Sequence, residues 1–210
     1  MYTLYYAPGA ASLAVHWMLI ELDVSHRLRK MDLEAGEHRQ PEYLKLNPNG
    51  YVPTLIVDGA PLFECAALLM LLTERHPEAG LAPPTASPQR GLYLTWMFHL
   101  SNTLQAAYRD WFYPDQLAGP ACALAVKAGA RAKIESCFDR IEAQLSSGGS
   151  CLVGDRIGAA DFLATMLMRW SRNMPKPATE WVTLANYVAR MKALPSFKTV
   201  YAREGLTEWA

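Results

Sequence analysis

Asn47-Pro48-Asn49-Gly50-Tyr51-Val52-Pro53-Thr54-Leu55 sets a run of turn formers directly against an apolar strand. A proline that opens a strand has no N–H for the ladder, so it marks the strand's first residue or its edge. If the Val52-Pro53 bond is cis, the chain kinks sharply and turns the Val52 amide and carbonyl outward. Those groups can then pair with an extended peptide as a short antiparallel ladder. A plain turn ahead of an edge strand is the ordinary alternative, and this stretch alone leaves both open.

Upstream, Thr3 to Tyr6 is rich in β-branched and aromatic residues and predicts a strand. Ala7-Pro8-Gly9 break it. Ser12 is placed to cap a helix through Leu22, with Leu13, His16, Trp17 and Ile20 on one face. His26 to Asp32 predicts a second strand, and Glu42 to Leu46 a short helix that stops before Asn47-Pro48. Downstream, Thr54 to Val57 predicts a strand and Pro61 to Phe63 its partner, with Asp58-Gly59 as the hairpin turn. Cys65 to Arg75 predicts a helix. The order β-α-β-α-β-β-α describes a small α/β domain ending in one antiparallel hairpin.

Pro77, Pro83, Pro84 and Pro88 punctuate a linker. Helical patterns then dominate, over 89–117, 121–146, 159–172, 181–193 and 196–203. Ser146-Ser147-Gly148-Gly149-Ser150 is a loop, and Pro175 and Pro177 mark another. The chain therefore divides into an α/β domain and an all-α domain.

Composition narrows the function classes. Lys plus Arg and Asp plus Glu number 20 each, so no net field draws nucleic acid or an anionic membrane. Cys65, Cys122, Cys137 and Cys151 form no CxxC pair and no metal-ligand spacing, and a disulfide framework is not expected. The N-terminal segment lacks the basic start of a signal peptide. The apolar run Ala10 to Ile20, interrupted by Ser12 and His16, is too short to span a bilayer. A cytoplasmic setting is the expectation.

Two further junctions can carry chemistry. At Glu64-Cys65 a strand gives way to a helix, whose free N–H groups suit a carboxylate while Glu64 suits an ammonium. A ligand end bearing both groups is an amino-acid head. At Tyr6-Ala7-Pro8-Gly9-Ala10-Ala11-Ser12 another helix start places hydroxyls where a developing anion is stabilised. Taken singly, the ordinary readings are an acid in a first helical turn, an N-cap at Ser12 and a core aromatic at Tyr6.

In this order and spacing the three features resemble the cytosolic glutathione transferases, most closely the bacterial beta class. The resemblance covers nearly the whole chain. It implies a thioredoxin-like N-terminal domain over 1–78, a linker over 79–88 and an all-α domain over 89–210. It implies that Tyr51, Val52, Pro53, Glu64 and Cys65 bind glutathione, the Val52 backbone beside a cis-Pro53 pairing with its cysteinyl part and Glu64 and Cys65 holding its γ-glutamyl head. Gly154-Asp155-Arg156-Ile157-Gly158-Ala159-Ala160-Asp161 is similar to the family's cap for a central buried helix, with Asp161 reaching back to Gly158. Implied too are glutathione as co-substrate, a small hydrophobic electrophile, a homodimer and no metal.

Four positions depart from the pattern. Ala11 stands where the beta class carries its reactive cysteine, so no mixed disulfide can form there. Gln105, counted from Trp96, stands at the usual histidine and cannot titrate. Cys65 replaces a hydroxyl with a weaker hydrogen-bonding group. Gly158 replaces the usual Ser or Thr cap. Thiol activation remains within reach, because lowering a pKa of about 8.5 by about two units needs roughly 2.7 kcal/mol. A charged hydrogen bond supplies about 1.5–3 kcal/mol and a helix N-terminus about 0.3–1 kcal/mol. Ser12 is the first candidate donor and Tyr6 the second.

The electrophile is expected between the domains, with Gln105, Tyr108, Trp111 and Phe112 as its apolar wall and Trp170 as a weaker candidate. Arg109 and Asp110 read as a solvated pair. The leading expectation is conjugation of the glutathione thiolate to small apolar electrophiles. The alternatives are a glutathione-binding protein with little turnover, or a glutathione-dependent lyase, isomerase or dehalogenase.

Overall fold

Strand β1 (Tyr2–Tyr6) sends Tyr2, Leu4 and Tyr6 to a buried face and Thr3 and Tyr5 to a half-buried one, as a pleated strand with cover on both sides must. It lies at the centre of the sheet for that reason. β2 (His26–Lys30) joins it in parallel and β3 (Thr54–Val57) antiparallel, and β4 (Ala60–Phe63) pairs with β3. The sheet order is β2-β1-β3-β4. Leu28 and Leu55 stand opposite Leu4 on either side. The β3–β4 hairpin turns through Asp58 and Gly59, both at positive φ (53° and 85°), the geometry that an Asp-Gly pair favours. Helix α1 (Ser12–Glu21) connects β1 to β2, α2 (Pro41–Leu44) precedes the proline turn, and α3 (Cys65–Arg75) follows β4.

The computed structural model describes residues 1–209. Past the linker come α4 (Arg90–His99), a π-helical segment Leu100–Gln105, α5 (Ala106–Phe112), a short α6 (Asp115–Ala118), α7 (Ala123–Ser146), α8 (Ala159–Trp170), α9 (Val182–Ala193) and α10 (Pro195–Glu204). The single helix expected over 89–117 is thus divided. Tyr113 leaves helical geometry at φ −129°, as residues before a proline tend to, and Pro114 ends the rod. Among the described residues no helix is long and apolar enough to cross a membrane.

The chain forms two compact units, residues 1–82 together with 192–210, and residues 83–191. The terminal helix, read from sequence as part of the helical domain, joins the first unit. The cause is α10 itself: Trp17 Nε1 donates to Ser196 Oγ at 2.8 Å, and the Trp17 and Phe197 rings meet edge to face at 5.1 Å. In the second unit α8 is the central element, buried from Ala159 through Arg169. Its start is organised by Asp161. One carboxylate oxygen accepts from the Leu152 N–H at 3.0 Å and the Tyr187 hydroxyl at 2.7 Å, and the other from the Gly158 N–H at 2.8 Å. Gly158 has no side chain, so only the Asp161 arm of a capping box exists here.

Candidate functional site

The Val52-Pro53 bond is cis. Tyr43 and Asn47 explain how the turn is held. The Tyr43 hydroxyl donates to the Tyr51 carbonyl at 2.6 Å, and the Asn47 amide donates to the same oxygen at 2.8 Å. With its proton so used, Tyr43 accepts from the Thr54 hydroxyl at 2.8 Å. Val52 packs with Ala7, Met31 and Tyr43 in one buried cluster. Its own amide and carbonyl make no hydrogen bond among the described residues. Gly50 is needed for the approach: it sits at φ +62°, and a Cβ there would lie 3.0 Å from the His38 carbonyl. Tyr51 is 42% exposed and carries the Arg39 guanidinium over its ring at 5.1 Å.

Glu64 closes β4 and opens α3 with φ 73° and ψ 107°, a backbone that L residues rarely hold. Such a conformation costs of order 1–3 kcal/mol, so the surrounding structure must hold it in place. The side chain is exposed and unpaired among the described residues. No side chain caps α3, so its first N–H groups are free of protein side chains. Cys65 turns the other way. Its thiol is buried and donates to the Ala11 carbonyl at 3.2 Å. Burial, and secondarily the Glu64 charge, push its pKa up to about 12, so it remains a thiol. What Cys65 offers a ligand is its backbone N–H.

The β1–α1 loop differs from expectation at Ser12. The residue is fully buried and does not cap α1, whose N-cap is Ala11. Its hydroxyl instead accepts from the Ala7 N–H and donates to the Ala7 carbonyl, both at 3.1 Å. A hydroxyl has one proton, and this one is committed to Ala7. Tyr6 is 8% exposed, and its hydroxyl makes no hydrogen bond among the described residues. Burial first, then the Glu204 charge, raise its pKa above the ordinary phenol value, so it stays a proton donor.

Glu204 was not singled out in the sequence. Its carboxylate accepts from the Gly9 N–H at 2.8 Å through one oxygen and bonds the His16 Nδ1 at 2.8 Å through the other. Both side chains are completely buried. A histidine on the apolar face of α1 was the only sequence signal, and it calls for a buried partner without saying which.

In the helical unit, Gln105 ends the π-helical segment, half-buried, with its amide unbonded among the described residues. Tyr108 is fully buried. Its ring stacks on Phe112 at 5.8 Å and meets Trp170 edge to face at 5.4 Å. Phe112 is 47% exposed and Trp170 half-buried, so these two present the aromatic surface. Trp111 carries Lys127 Nζ over its ring at 4.5 Å. Arg109 donates to Gln116 at 2.8 Å and lies over Tyr113. Among the described residues no His/Cys/Asp/Glu group could hold a metal ion.

The sequence model for the glutathione S-transferase N-terminal domain matches residues 1–72, and that for the C-terminal domain matches residues 123–195. Glutathione S-transferase GST-4.5 of Xanthomonas campestris is 29% identical over 97% of this chain and 98% of its own length. A glutathione transferase structure from Methylococcus capsulatus superposes with a TM-score of 0.89 at 31% identity, covering 99% of this chain and 100% of the other. A sphingomonad glutathione S-transferase solved in complex with glutathione gives a TM-score of 0.86 at 26% identity, over 98% of this chain and 100% of that one.

Proposed function

The chain belongs to the glutathione S-transferase family, and from that premise we propose that it adds the glutathione thiolate to small apolar electrophiles. The observation that carries the glutathione half is the pairing of unbonded Val52 backbone groups with the strained Glu64 beside an uncapped helix start. A γ-glutamyl-cysteinyl peptide matches both. Its cysteinyl backbone pairs with Val52 next to Pro53. Its ammonium meets Glu64, and its carboxylate meets the N–H groups of α3 from Cys65 onward. Tyr51 flanks this strip. The electrophile meets the exposed aromatic surface of Phe112 and Trp170, with Trp111 and Gln105 on the same rod. The protein acts as a cytoplasmic homodimer, which sedimentation of the purified chain would test.

Tyr6 is the better thiolate donor of the two candidates, because its proton is unbonded while that of Ser12 is committed to Ala7. In the reaction the glutathione thiol loses its proton to solvent, and the thiolate accepts a hydrogen bond from the Tyr6 hydroxyl. The sulfur lone pair then forms the new S–C bond as the electrophile's leaving group departs or its π electrons shift. Ultraviolet titration of the bound thiol tests this. The wild-type thiol should ionise below about 8.5. Tyr6→Phe should raise that pKa by about one unit, the worth of one hydrogen bond. Ser12→Ala should leave it in place and lower stability by about 1–2 kcal/mol, since Ala7 loses both partners. A wild-type thiol that never ionises early would mean a binding protein, the reading that the missing thiol at Ala11 favours.

Glu64→Gly separates binding from strain. Glycine accepts positive φ, so the variant should be more stable, by up to about 1 kcal/mol. It should also bind glutathione about 10- to 100-fold more weakly, because the ammonium loses its carboxylate. Thermal melting and calorimetric titration would show the two opposite signs. A variant that gains stability with unchanged affinity would remove Glu64 from the site.

A further inference from the structure

Strand β2 (His26–Lys30) ends the sheet, so one side of its backbone has no strand partner. The register shows which of its groups face outward. Along a paired strand, residues alternate, each sending both its N–H and its C=O to the same side. The Met31 N–H donates to the Tyr6 carbonyl at 2.8 Å, one residue past the Tyr6–Lys30 pair. Arg29 and Arg27, two and four residues earlier, therefore bond β1 in the same way. The main-chain groups of Leu28 and Lys30 point away from the sheet. They make no hydrogen bond among the described residues. Leu28 is half-buried and Lys30 is exposed.

The side chains beside this free edge are cationic. Arg27 and Arg29 stand next to Thr3 and Tyr5 on one face of the sheet, and both are exposed. Lys30 adds a third exposed charge. None of the three forms an ion pair among the described residues. No acid lies on β1 or β2. Asp32, the first acid after β2, accepts from the Glu34 and Ala35 N–H groups at 3.0 and 2.9 Å and so closes its own turn. At the other end of the strand, the Arg203 guanidinium lies 3.4 Å from His26 Nε2. Like charges set opposite one another repel a second copy of the same edge. They leave it open to a strand of opposite sign.

We propose that the free edge of β2 takes up an acidic extended peptide from a partner protein, as a fifth strand of the sheet. Main-chain hydrogen bonds to Leu28 and Lys30 hold it. Acidic side chains at alternate positions meet Arg27 and Arg29, and an apolar residue between them lies beside Leu28. The partner's acids must be two residues apart, because the two arginines are two apart on one face. Arginine's planar fork matches each carboxylate. β2 and β1 stand between the added strand and β3, so it binds with glutathione present. The proposal does not rest on the conjugation reading.

The probe is the end-capped peptide Ser-Thr-Glu-Val-Glu-Thr-Ser, titrated calorimetrically into the full-length chain saturated with glutathione. Amide hydrogen exchange of the same complex is followed residue by residue by nuclear magnetic resonance. The expected result is one saturable site, with exchange at Leu28 and Lys30 slowed at least about tenfold. The Arg27 and Arg29 amides, already bonded to β1, should change little. Arg27→Gln with Arg29→Gln should weaken binding at least about tenfold, the worth of one charge-assisted hydrogen bond. The pair should leave conjugation unchanged, and their exposure keeps folding out of the comparison. The counterpart Ser-Thr-Lys-Val-Lys-Thr-Ser should not bind, and added salt should weaken the acidic peptide. No binding by the wild type, or equal affinity for the lysine peptide or in the double variant, would overturn the proposal. So would unslowed exchange at Leu28 under saturation, which would reduce the cations to a plain anion-binding surface. Protection of Leu28 that rises with protein concentration alone would assign the edge to a second copy, and would overturn it as well.

Discussion

Asp161→Ala is expected to destabilise the protein by about 3–5 kcal/mol, a large part of the roughly 5–15 kcal/mol that holds an ordinary domain together. The side chain is 1% exposed and accepts from three donors, the N–H groups of Leu152 and Gly158 and the Tyr187 hydroxyl. Alanine would leave all three buried and unbonded, at about 1–3 kcal/mol each before relaxation. The loss would fall on the start of α8, around which the helical unit packs. Tyr187→Phe supplies the comparison, since it removes one donor and leaves the carboxylate with two; about 1 kcal/mol is expected. Urea unfolding followed by circular dichroism would measure both. If alanine at 161 costs no more than phenylalanine at 187, the three bonds do not act as described.

Glu204→Ala should be nearly as damaging to stability and more so to turnover. It strips His16 of its carboxylate and the Gly9 N–H of its acceptor. Breaking a completely buried pair of this kind costs about 3–5 kcal/mol. Gly9 belongs to the loop that carries Tyr6 and Ala7 at one end and Ser12 at the other. Loss of its anchor should lower turnover by about ten- to a hundredfold, the penalty for reacting groups displaced by an ångström. Glu204→Gln keeps the shape and one acceptor, and should retain enough folded protein for kinetics. It also removes the charge that helps raise the Tyr6 pKa, so the phenol should titrate lower in that variant. A Glu204→Gln enzyme with wild-type turnover and an unshifted phenol would detach this carboxylate from the site.

Local patterns made most of the first unit legible. Asp58-Gly59 announced the hairpin, and the helix expected over Cys65 to Arg75 has those bounds in the structure. Val52-Pro53 was recognisable because the signal lies in adjacent residues. Ser12 misled, since a helix N-cap and a hydroxyl folded back onto Ala7 look alike in sequence. Tyr108 was ambiguous for a related reason: an aromatic at helical spacing fits either a core or a wall, and only the structure shows its ring against Phe112 and Trp170. The π-helical segment has no compositional mark. Glu204 was out of reach because its partners, His16 and Gly9, stand 188 and 195 residues away. Nothing in a buried polar residue's own surroundings identifies a partner so distant.

The bond from Glu204 to Gly9 also sets an order of assembly. Chains are made from the N-terminus, and domains tend to fold as they emerge. The first unit cannot do so completely, because one of its helices, α10, is synthesised only after the whole helical unit. Its sheet can form early, but the loop between β1 and α1 must wait for the Glu204 carboxylate that bonds Gly9 and His16. Closure over so long a span of chain is slow compared with local structure. The helical unit can therefore finish first, although the ribosome makes it second, and the β1–α1 loop takes its final shape among the last events of folding.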